Sequence, residues 1–543
     1  MKNSLLKFTQ NIIYAFLPLL FTVSCNKSDS AGMEGTATIQ VAISDVSFEA
    51  EETIANRAAT TTETTIQRNT MELNKDFLVV AELHPENPNL LKQDQSKAAL
   101  DTTDLAADIH YRLLVYTQAG AFVAERDYIR GQEAATAALA LDGGSTYTFV
   151  AVSLNQTTAL PATTPAVATR TLANSQIVVN TGTSALMYQR QALTVSGNAI
   201  NRLDIVFKHQ KPSMNITINS TQTGYNITAI AATITPHNSG MTVNLSSGAF
   251  TQSGSNASTS VNYGTNINSQ IITTEVNINA ANNNITRFSL NSITIGSITA
   301  TNLAPFTNLN VTAGVRYNLI LNIVPNDQFL TYQGRPAARI NGVIWARHNV
   351  GVATTVNADA APMTVNRHGD YFQWGRLARS GAGNSNTANP FFASNAPANN
   401  SWNSGTEAAP IKTTLDPCPT GYRIPTRAEY TILRNSVTIS NLGPFTEGAT
   451  RFDSAKVLTS TRNSQVRLTL PAQGWLTVSG SAPYVDVGIA NRGTVGYYHT
   501  SFGSNNPLTM YSFFNAANLV ESNGGTNAAF KVVSMNIRCV GIQ

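Results

Sequence analysis

The sequence predicts a mainly β protein, and two observations carry that prediction. Only 12% of the 543 residues are charged, about half the usual share for soluble domains, and Thr, Ser, Asn and Gln take their place. That mixture favours pleated, half-solvated strands over helices. Short stretches of alternating apolar and polar residues recur between turns rich in Gly, Asn and Ser. The pattern predicts antiparallel β-sandwiches.

The predicted strands begin at residues 36–48, where apolar residues alternate with polar ones. Residues 110–129 predict two strands joined by a turn at 118–120, and residues 143–155 predict a turn followed by a strand. A second set of strands opens at residue 201 and continues to about residue 325. The sequence therefore predicts one sandwich over 36–200 and another over 201–327.

The length and the charge of the chain limit its organisation and its partners. A chain of 543 residues is too long for a single core, so several domains are expected. The net charge of +4 is mild, and no run of Lys and Arg carries interleaved aromatic residues. Nucleic acid is therefore not expected as a partner.

The N-terminus has the layout of a secretory signal peptide. Residues 1–24 carry two lysines, then the apolar run IIYAFLPLLFTV, and a small residue precedes Cys25. The run is short and contains Pro18, which argues against a membrane-spanning helix. We predict that residues 1–24 are a signal peptide and that residues 25–35 form a polar tether.

The stretch FTVSC resembles a bacterial lipobox, with Thr22 where Leu is usual. The resemblance implies that Cys25 is lipidated, for example with palmitate, and that the chain is anchored in the outer membrane at the cell surface. Ordinary secretion, with Cys25 removed or left in a tail, is the alternative.

Cys418 and Cys539 are the remaining cysteines. In an exported protein an isolated pair indicates a disulfide. A bonded sulfur cannot act as a nucleophile, so the pairing argues against Cys418 as a catalytic residue. Closing a loop of about 120 residues is expected to stabilise the domain by several kcal/mol.

Three segments in the first 325 residues, YRLLVYTQAGAFV, LDGGSTYTFVAVSLN and RLDIVFKHQKPSMNITIN, resemble the fimbrillin-type (Mfa-like) pilins and surface lipoproteins of Bacteroidetes. The resemblance implies two transthyretin-like antiparallel β-sandwich domains behind a lipobox. It also implies adhesion, within a fimbrium assembled with other fimbrial subunits or through ligands on host or bacterial surfaces.

The same resemblance implies that the first strand can be removed. Proteolysis after Arg57 would release residues 36–48, and the vacated groove would accept a strand from another subunit. Such β-augmentation satisfies the open backbone groups and the apolar groove of an incomplete sandwich. The alternative is a first strand that stays in place.

The composition shifts near residue 328, and all four tryptophans lie at or beyond Trp345. The ordered motifs RINGVIWARHNVG, HGDYFQWGR, DPCPTGYRIPTRAEYTIL and NIRCVGIQ resemble the major paralogous domain of Fibrobacter succinogenes. The resemblance covers residues 328–543. It implies a mixed α+β domain similar to C-type lectins and to the formylglycine-generating enzyme.

Thr426 and Glu429 have the T-x-x-E spacing of a capping box, which predicts a helix that starts after Thr426. This explains the motif around Cys418 as architecture, so we predict no catalytic residue and no enzyme. Histidines such as His368 show no close pairing, so neither a metal site nor another cofactor is predicted.

Aromatic residues in loops rich in Gly and Asn are candidates for ligand contact, since aromatic rings stack on sugars and fill peptide grooves. The alternative is that most of them belong to the core. The predicted function is adhesion, as an accessory or tip fimbrial subunit, and the alternative is a solitary outer-membrane lipoprotein that binds glycan. The candidate ligand contacts are Tyr371, Trp374, Trp402 and Tyr498.

Overall fold

The computed structural model describes residues 34–48, 66–86, 102–280, 287–394, 397–503, 508–522 and 529–543. These residues are mainly β, with 52% in strands and 5% in helices.

The strands up to residue 209 are β1 (Thr36–Ser47), β2 (Gln67–Asn74), β3 (Phe77–Pro85), β4 (Thr102–Thr103), β5 (His110–Thr117), β6 (Phe122–Ile129), β7 (Leu139–Asp142), β8 (Thr146–Ser153), β9 (Thr163–Thr164), β10 (Gln176–Val179), β11 (Met187–Thr194) and β12 (Ile200–His209). The next are β13 (Ser213–Asn219), β14 (Ile227–Asn244), β15 (Phe250–Val261), β16 (Ile271–Asn277), β17 (Arg287–Ile295), β18 (Ile298–Phe306) and β19 (Arg316–Pro325).

The strands beyond residue 327 are β20 (Gln328–Tyr332), β21 (Arg335–Ile340), β22 (Val343–Asn349), β23 (Tyr371–Gln373), β24 (Arg379–Gly381), β25 (Tyr422–Arg423), β26 (Val437–Leu442), β27 (Ala455–Ser460), β28 (Arg467–Pro471), β29 (Trp475–Ser479), β30 (Val485–Ala490), β31 (Gly496–Gly503), β32 (Leu508–Phe514), β33 (Leu519–Glu521), β34 (Ala529–Phe530), β35 (Ser534–Met535) and β36 (Arg538–Gly541). The α-helix is α1 (Arg427–Asn435), and short 3-10 turns lie at Glu133–Ala135, Val167–Thr169, Thr221–Thr223 and Val365–Arg367.

The first sheet has eight strands in the order β4-β1-β12-β11-β8-β5-β6, with β7 also paired to β1. One face encloses a core to which β1, β5, β7, β8 and β12 all contribute, so the sheet curves around its own apolar side chains. The other face also buries apolar residues, such as Leu114 and Val150, against β10 and β14 of a neighbouring sheet. Because β5 and β8 are covered on both faces, their side chains are apolar in almost unbroken runs.

The second sandwich packs a six-stranded sheet, β18-β17-β14-β10-β9 with β15 beside β14, on a five-stranded sheet, β16-β13-β19-β3-β2. Strands β2 and β3 come early in the chain but pair in this sandwich, through β3 and β19. Strand β12 starts at the predicted boundary after residue 200 and pairs with β1. Strands β2 and β3, from the first predicted sandwich, therefore lie in the second, and β12, from the second, lies in the first sheet.

The C-terminal region contains two five-stranded sheets, a three-stranded sheet and a four-stranded sheet around the single described α-helix. The predicted capping box is confirmed: the hydroxyl of Thr426 accepts from the N–H of Glu429 at 3.2 Å, and the Glu429 carboxylate accepts from the N–H of Thr426 at 2.8 Å. Cys418 and Cys539, predicted as a pair, form a disulfide that closes a loop of 121 residues.

A buried carboxylate joins the second sandwich to the C-terminal region. Asp327 follows β19, and its side chain accepts hydrogen bonds from the Ser460 hydroxyl at 2.6 Å and from the N–H of Asn341 at 3.0 Å. Arg462 lies 3.6 Å from the same carboxylate and donates to the carbonyl of Asp76, in the turn between β2 and β3. Charge and hydrogen bonds therefore fix this junction.

Candidate functional site

The first candidate site is the position of β1 in the eight-stranded sheet. Strand β1 runs parallel to β12 from the pair Thr38–Ile200 to the pair Ser47–Lys208, with one bulge after Ile43. Its opposite edge pairs antiparallel with β7 and β4. One strand thus closes two backbone edges, and its removal would leave a slot with unpaired N–H and C=O groups along each side.

The walls of this slot are apolar. Strand β1 inserts Ala37, Ile39 and Val46, whose exposed fractions are 5% or less, into the core. The facing side chains of β12 and β7 are buried as well. They are Leu203, Ile205 and Phe207 from β12, and Leu139 and Leu141 from β7. A strand that replaced β1 would therefore need apolar residues at alternate positions.

The end of β1 lies where the eight-stranded sheet meets the five-stranded sheet of the second sandwich. The ring of Phe48 lies parallel to the imidazole of His209, which ends β12, with centroids 3.7 Å apart. The guanidinium of Arg316, which begins β19, lies 4.2 Å from the centroid of the Phe48 ring. Burial, and then the charge of Arg316, lower the pKa of His209 to about 3, so the imidazole is neutral.

A polar cavity of about 280 Å³ adjoins this contact. It is lined by Val46 of β1, by His209 and Arg316, and by the carboxylates of Asp104 and Glu275. Arg316 lies 3.6 Å from Glu275 and from Glu86, so the cation is balanced by nearby acids. The cavity therefore lies between the end of β1 and the contact of His209 with Arg316.

The four candidate aromatic residues are buried, which agrees with the alternative that they belong to the core. Tyr371, Trp374, Trp402 and Tyr498 are exposed by 1% or less. Their polar atoms donate to backbone carbonyls: Tyr371 to Gln473 at 2.6 Å, Trp374 to Ala398 at 3.4 Å, Trp402 to Arg376 at 3.3 Å and Tyr498 to Pro471 at 3.0 Å. Trp374 and Trp402 belong to one apolar core with Tyr422, whereas Tyr498 belongs to another with Trp345 and Phe514.

A different set of rings lies nearer the surface, and we call it the aromatic ledge: Trp475, Tyr497, Tyr511 and Phe513. Trp475 stacks on Tyr497 with centroids 4.3 Å apart and planes at 9°, and both Trp475 and Phe513 are half-buried. Asn491 donates to the Tyr497 hydroxyl at 3.1 Å. Alternation along β31 and β32, which puts Tyr497 and Phe513 opposite each other, is the signal that could have identified the ledge.

The C-terminal histidines do not converge on a site. The Nε2 atoms of His348, His368 and His499 lie at hydrogen-bonding distance from the carbonyls of Val356, Phe452 and Phe372, respectively. Burial lowers the pKa values of His368 and His499 to about 4, so both are neutral. The described residues contain no group of three or more His, Cys, Asp or Glu side chains placed to hold a metal ion.

The side chains of Glu429 and Cys418 both have structural partners. The Glu429 carboxylate caps α1 and accepts two hydrogen bonds from Arg423, at 2.6 and 2.8 Å. Cys418 lies in the disulfide. Neither group is free to act as an acid, a base or a nucleophile in this arrangement.

Two predicted sites lie outside the described residues, namely the lipidated Cys25 and the cleavage position Arg57. Within the described ranges, no helix is long and apolar enough to span a membrane.

No family model and no curated protein matches the chain. Among solved structures, the chain is similar to a candidate cell adhesion protein of Bacteroides fragilis, with 13% identity, a TM-score of 0.30, and coverage of 46% of this chain and 91% of that one. A candidate polysaccharide-binding protein of Bacteroides thetaiotaomicron gives 11% identity, a TM-score of 0.27, and coverage of 41% and 90%. The fimbrial anchor protein Mfa2 of Porphyromonas gingivalis gives 9% identity, a TM-score of 0.25, and coverage of 39% and 76%.

Proposed function

We propose that this chain is a non-enzymatic, surface-exposed lipoprotein of the outer membrane that acts in adhesion, as an accessory or tip subunit assembled by strand donation. The observation that carries the proposal is the position of β1. It closes two backbone edges and fills an apolar slot, and it comes from the extreme N-terminal end of the described chain. Adhesion is also named for solved structures similar to this chain, but the proposal rests on the strand.

The chain connectivity favours release of β1 over release of any other core strand. Strand β1 lies in the eight-stranded sheet, whereas β2, the next strand, lies in the second sandwich. Arg57 lies between them in the sequence. Cleavage there would therefore free β1 without cutting a strand of the second sandwich, and β2 would remain paired with β3.

The finer architecture belongs to the same proposal. The two sandwiches are transthyretin-like and form a stalk, Cys25 carries the lipid, and residues 328–543 form a recognition domain related to the Fibrobacter major paralogous domain. The contact between Asp327 and Arg462 supports a stalk that carries this domain in a fixed orientation.

The experiment is mass spectrometry of the N-terminal peptide of protein taken from the cell surface. A peptide that begins at Ala58 supports strand donation, and the Arg57→Lys variant should suppress it if the protease is specific for Arg. An acylated N-terminal Cys25 in fully assembled protein, with β1 still attached, contradicts strand donation but leaves surface anchoring intact.

A second candidate function is glycan binding by a solitary lipoprotein, and the aromatic ledge favours it. Trp475 and Phe513, the half-buried rings of the ledge, offer apolar surface of the kind that sugar rings pack on. In a glycan array with the full chain, Trp475→Ala should abolish the signal. Val485→Ala, an exposed position on β30, serves as the control, and equal binding by both variants contradicts this function.

A further inference from the structure

We infer that the outer edge of β15 is a self-association surface, on which the β15 strand of a second copy of this chain pairs antiparallel. This inference does not depend on the role proposed for β1. It would join two six-stranded sheets into one continuous sheet across a two-fold axis.

Strand β15 pairs on one side only. Its partner is β14, from Val243–Phe250 to Ala232–Val261, and no other strand of the described chain pairs with it. The five consecutive residues 254–258 are exposed. A strand of twelve residues thus presents backbone N–H and C=O groups along its outer edge, which is a template for another strand.

The residue content of β15 offers none of the usual protection of such an edge. FTQSGSNASTSV contains no Lys, Arg, Asp, Glu or Pro. Natural edge strands are normally blunted by charge, by Pro or by cover from another segment, because an open edge promotes pairing with other chains. The absence of charge over these twelve residues therefore favours pairing of β15 with another strand.

Two other edge strands of the same molecule, β6 and β2, do carry this protection. Strand β6 carries Glu125, Arg126 and Asp127 in succession. At the edge formed by β2, the side chains of Gln67 and Asn69 donate to the carbonyls of Asn310 and Pro305, at 2.8 and 2.7 Å, so a neighbouring segment covers it. The contrast within one protein indicates that the open edge of β15 has a use.

The chemistry of the edge favours a second copy over a different protein. Small side chains allow close approach, and an antiparallel two-fold pair centred on Ala257 sets Asn256 against Ser258 and Ser255 against Thr259 of the second copy, which are small polar cross-strand neighbours. No charge is brought against a like charge in such a pair. Gly254, with φ of +76°, bends the strand, so the run Ser255–Ser260 is the pairing segment.

Sedimentation velocity of the full chain over a concentration series tests the inference. We expect a reversible dimer, and we expect the double variant Asn256→Lys with Ser258→Lys to raise its dissociation constant about tenfold or more, because like charges would face each other. The matched control places two lysines at Gln176 and Val178, exposed positions on the internal strand β10 of the same sheet.

Amide hydrogen exchange gives an independent readout. Protection of residues 255–260 should increase with protein concentration in the wild-type chain and in the β10 control, but not in the β15 variant. A wild-type chain that stays monomeric throughout the series would overturn the inference. A dimer that tolerates the β15 lysines, in a variant whose thermal unfolding matches that of the control, would overturn it equally.

Discussion

Phe48 and His209 stack with ring centroids 3.7 Å apart and planes within 3° of parallel, which ties the end of the first strand to the end of β12. The guanidinium of Arg316, at the start of a strand in the second sandwich, lies over the same Phe48 ring. One aromatic side chain thus contacts both sheet systems. Retention of β1 and the junction between the sheets are therefore energetically linked.

Phe48→Ala should loosen β1 more than the rest of the molecule. Loss of the stacked pair and of the cation–π contact should lower the local stability by about 1–3 kcal/mol. Amide exchange of residues 38–46 should accelerate, while that of β13 and β19 changes less. Unchanged protection of β1 would show that the Phe48 contact contributes little to its retention.

Lys211 lies between β12 and β13, is exposed by only 1%, and donates to the carbonyls of Gly182 and Ser184. Burial lowers its pKa from 10.5 to about 7. Between pH 7 and pH 10.5 this lysine is protonated in the unfolded chain but neutral in the native protein. The free energy of unfolding should therefore rise with pH over this range, by at most about 1.4 kcal/mol per pH unit.

Lys211→Met should remove this rise while it leaves the rest of the pH profile in place. Denaturant unfolding of the two proteins between pH 7 and pH 10 measures it. Parallel stability profiles for the variant and the wild type would show that Lys211 keeps an ordinary pKa in the native state.

Acid should destabilise the C-terminal region through its buried histidines. His499 packs beside the Trp374–Trp402 pair, and burial lowers its pKa from 6.5 to about 4. Between pH 6.5 and pH 4 this histidine is protonated in the unfolded chain but neutral in the native protein. The free energy of unfolding should therefore fall as the pH drops through this range, by up to about 1.4 kcal/mol per pH unit.

His499→Gln keeps a donor for the carbonyl of Phe372 and cannot titrate in this range. Its stability should depend less on pH between 4 and 6.5, and His368→Gln should add a similar reduction. Acid unfolding followed by Trp fluorescence measures the slopes. Identical slopes for the wild type and both variants would contradict the assignment.

Lys412 stabilises the segment around the disulfide residue Cys418. Its ammonium donates to the carbonyl of Tyr422 at 2.7 Å, to the carbonyl of Cys418, and to the carboxylate of Asp416 at 3.3 Å. Lys412→Met should cost about 3–5 kcal/mol, because it leaves the buried Asp416 without its cation. Thermal unfolding measures the loss.

The double variant Lys412→Met with Asp416→Asn should recover part of that stability, since it removes the unpaired charge. Additive losses in the cycle of single and double variants would mean that the two side chains do not interact.

The strands that depend on local pattern were predictable. Alternation marked β1, and the run around residues 118–120 gave the hairpin of β5 and β6. The T-x-x-E spacing located the start of α1, and the isolated cysteine pair predicted the disulfide. Each of these features depends on residues close in sequence or on a count of residues of one type.

The pairing of distant strands could not be predicted from periodicity. Nothing in the sequence of β1 indicates that it runs parallel to β12, or that β2 and β3 join another sheet, because backbone hydrogen bonds carry no residue code. The sequence allowed either a core or a ligand-contact position for Trp374 and Trp402, and it could not show that the two rings contact each other, since they are distant in sequence. That β15 is an open edge could be seen only from the strand pairing, since β14 is its only partner among the described strands.

Synthesis imposes an order on the β1 pairing. Thr38 pairs with Ile200, so the first strand leaves the ribosome well before its partner β12 exists. Pairings of large sequence separation form slowly because loop closure costs entropy before any contact repays it. Strand β1 therefore cannot complete its parallel pairing until synthesis has passed Lys208, the last partner residue in β12.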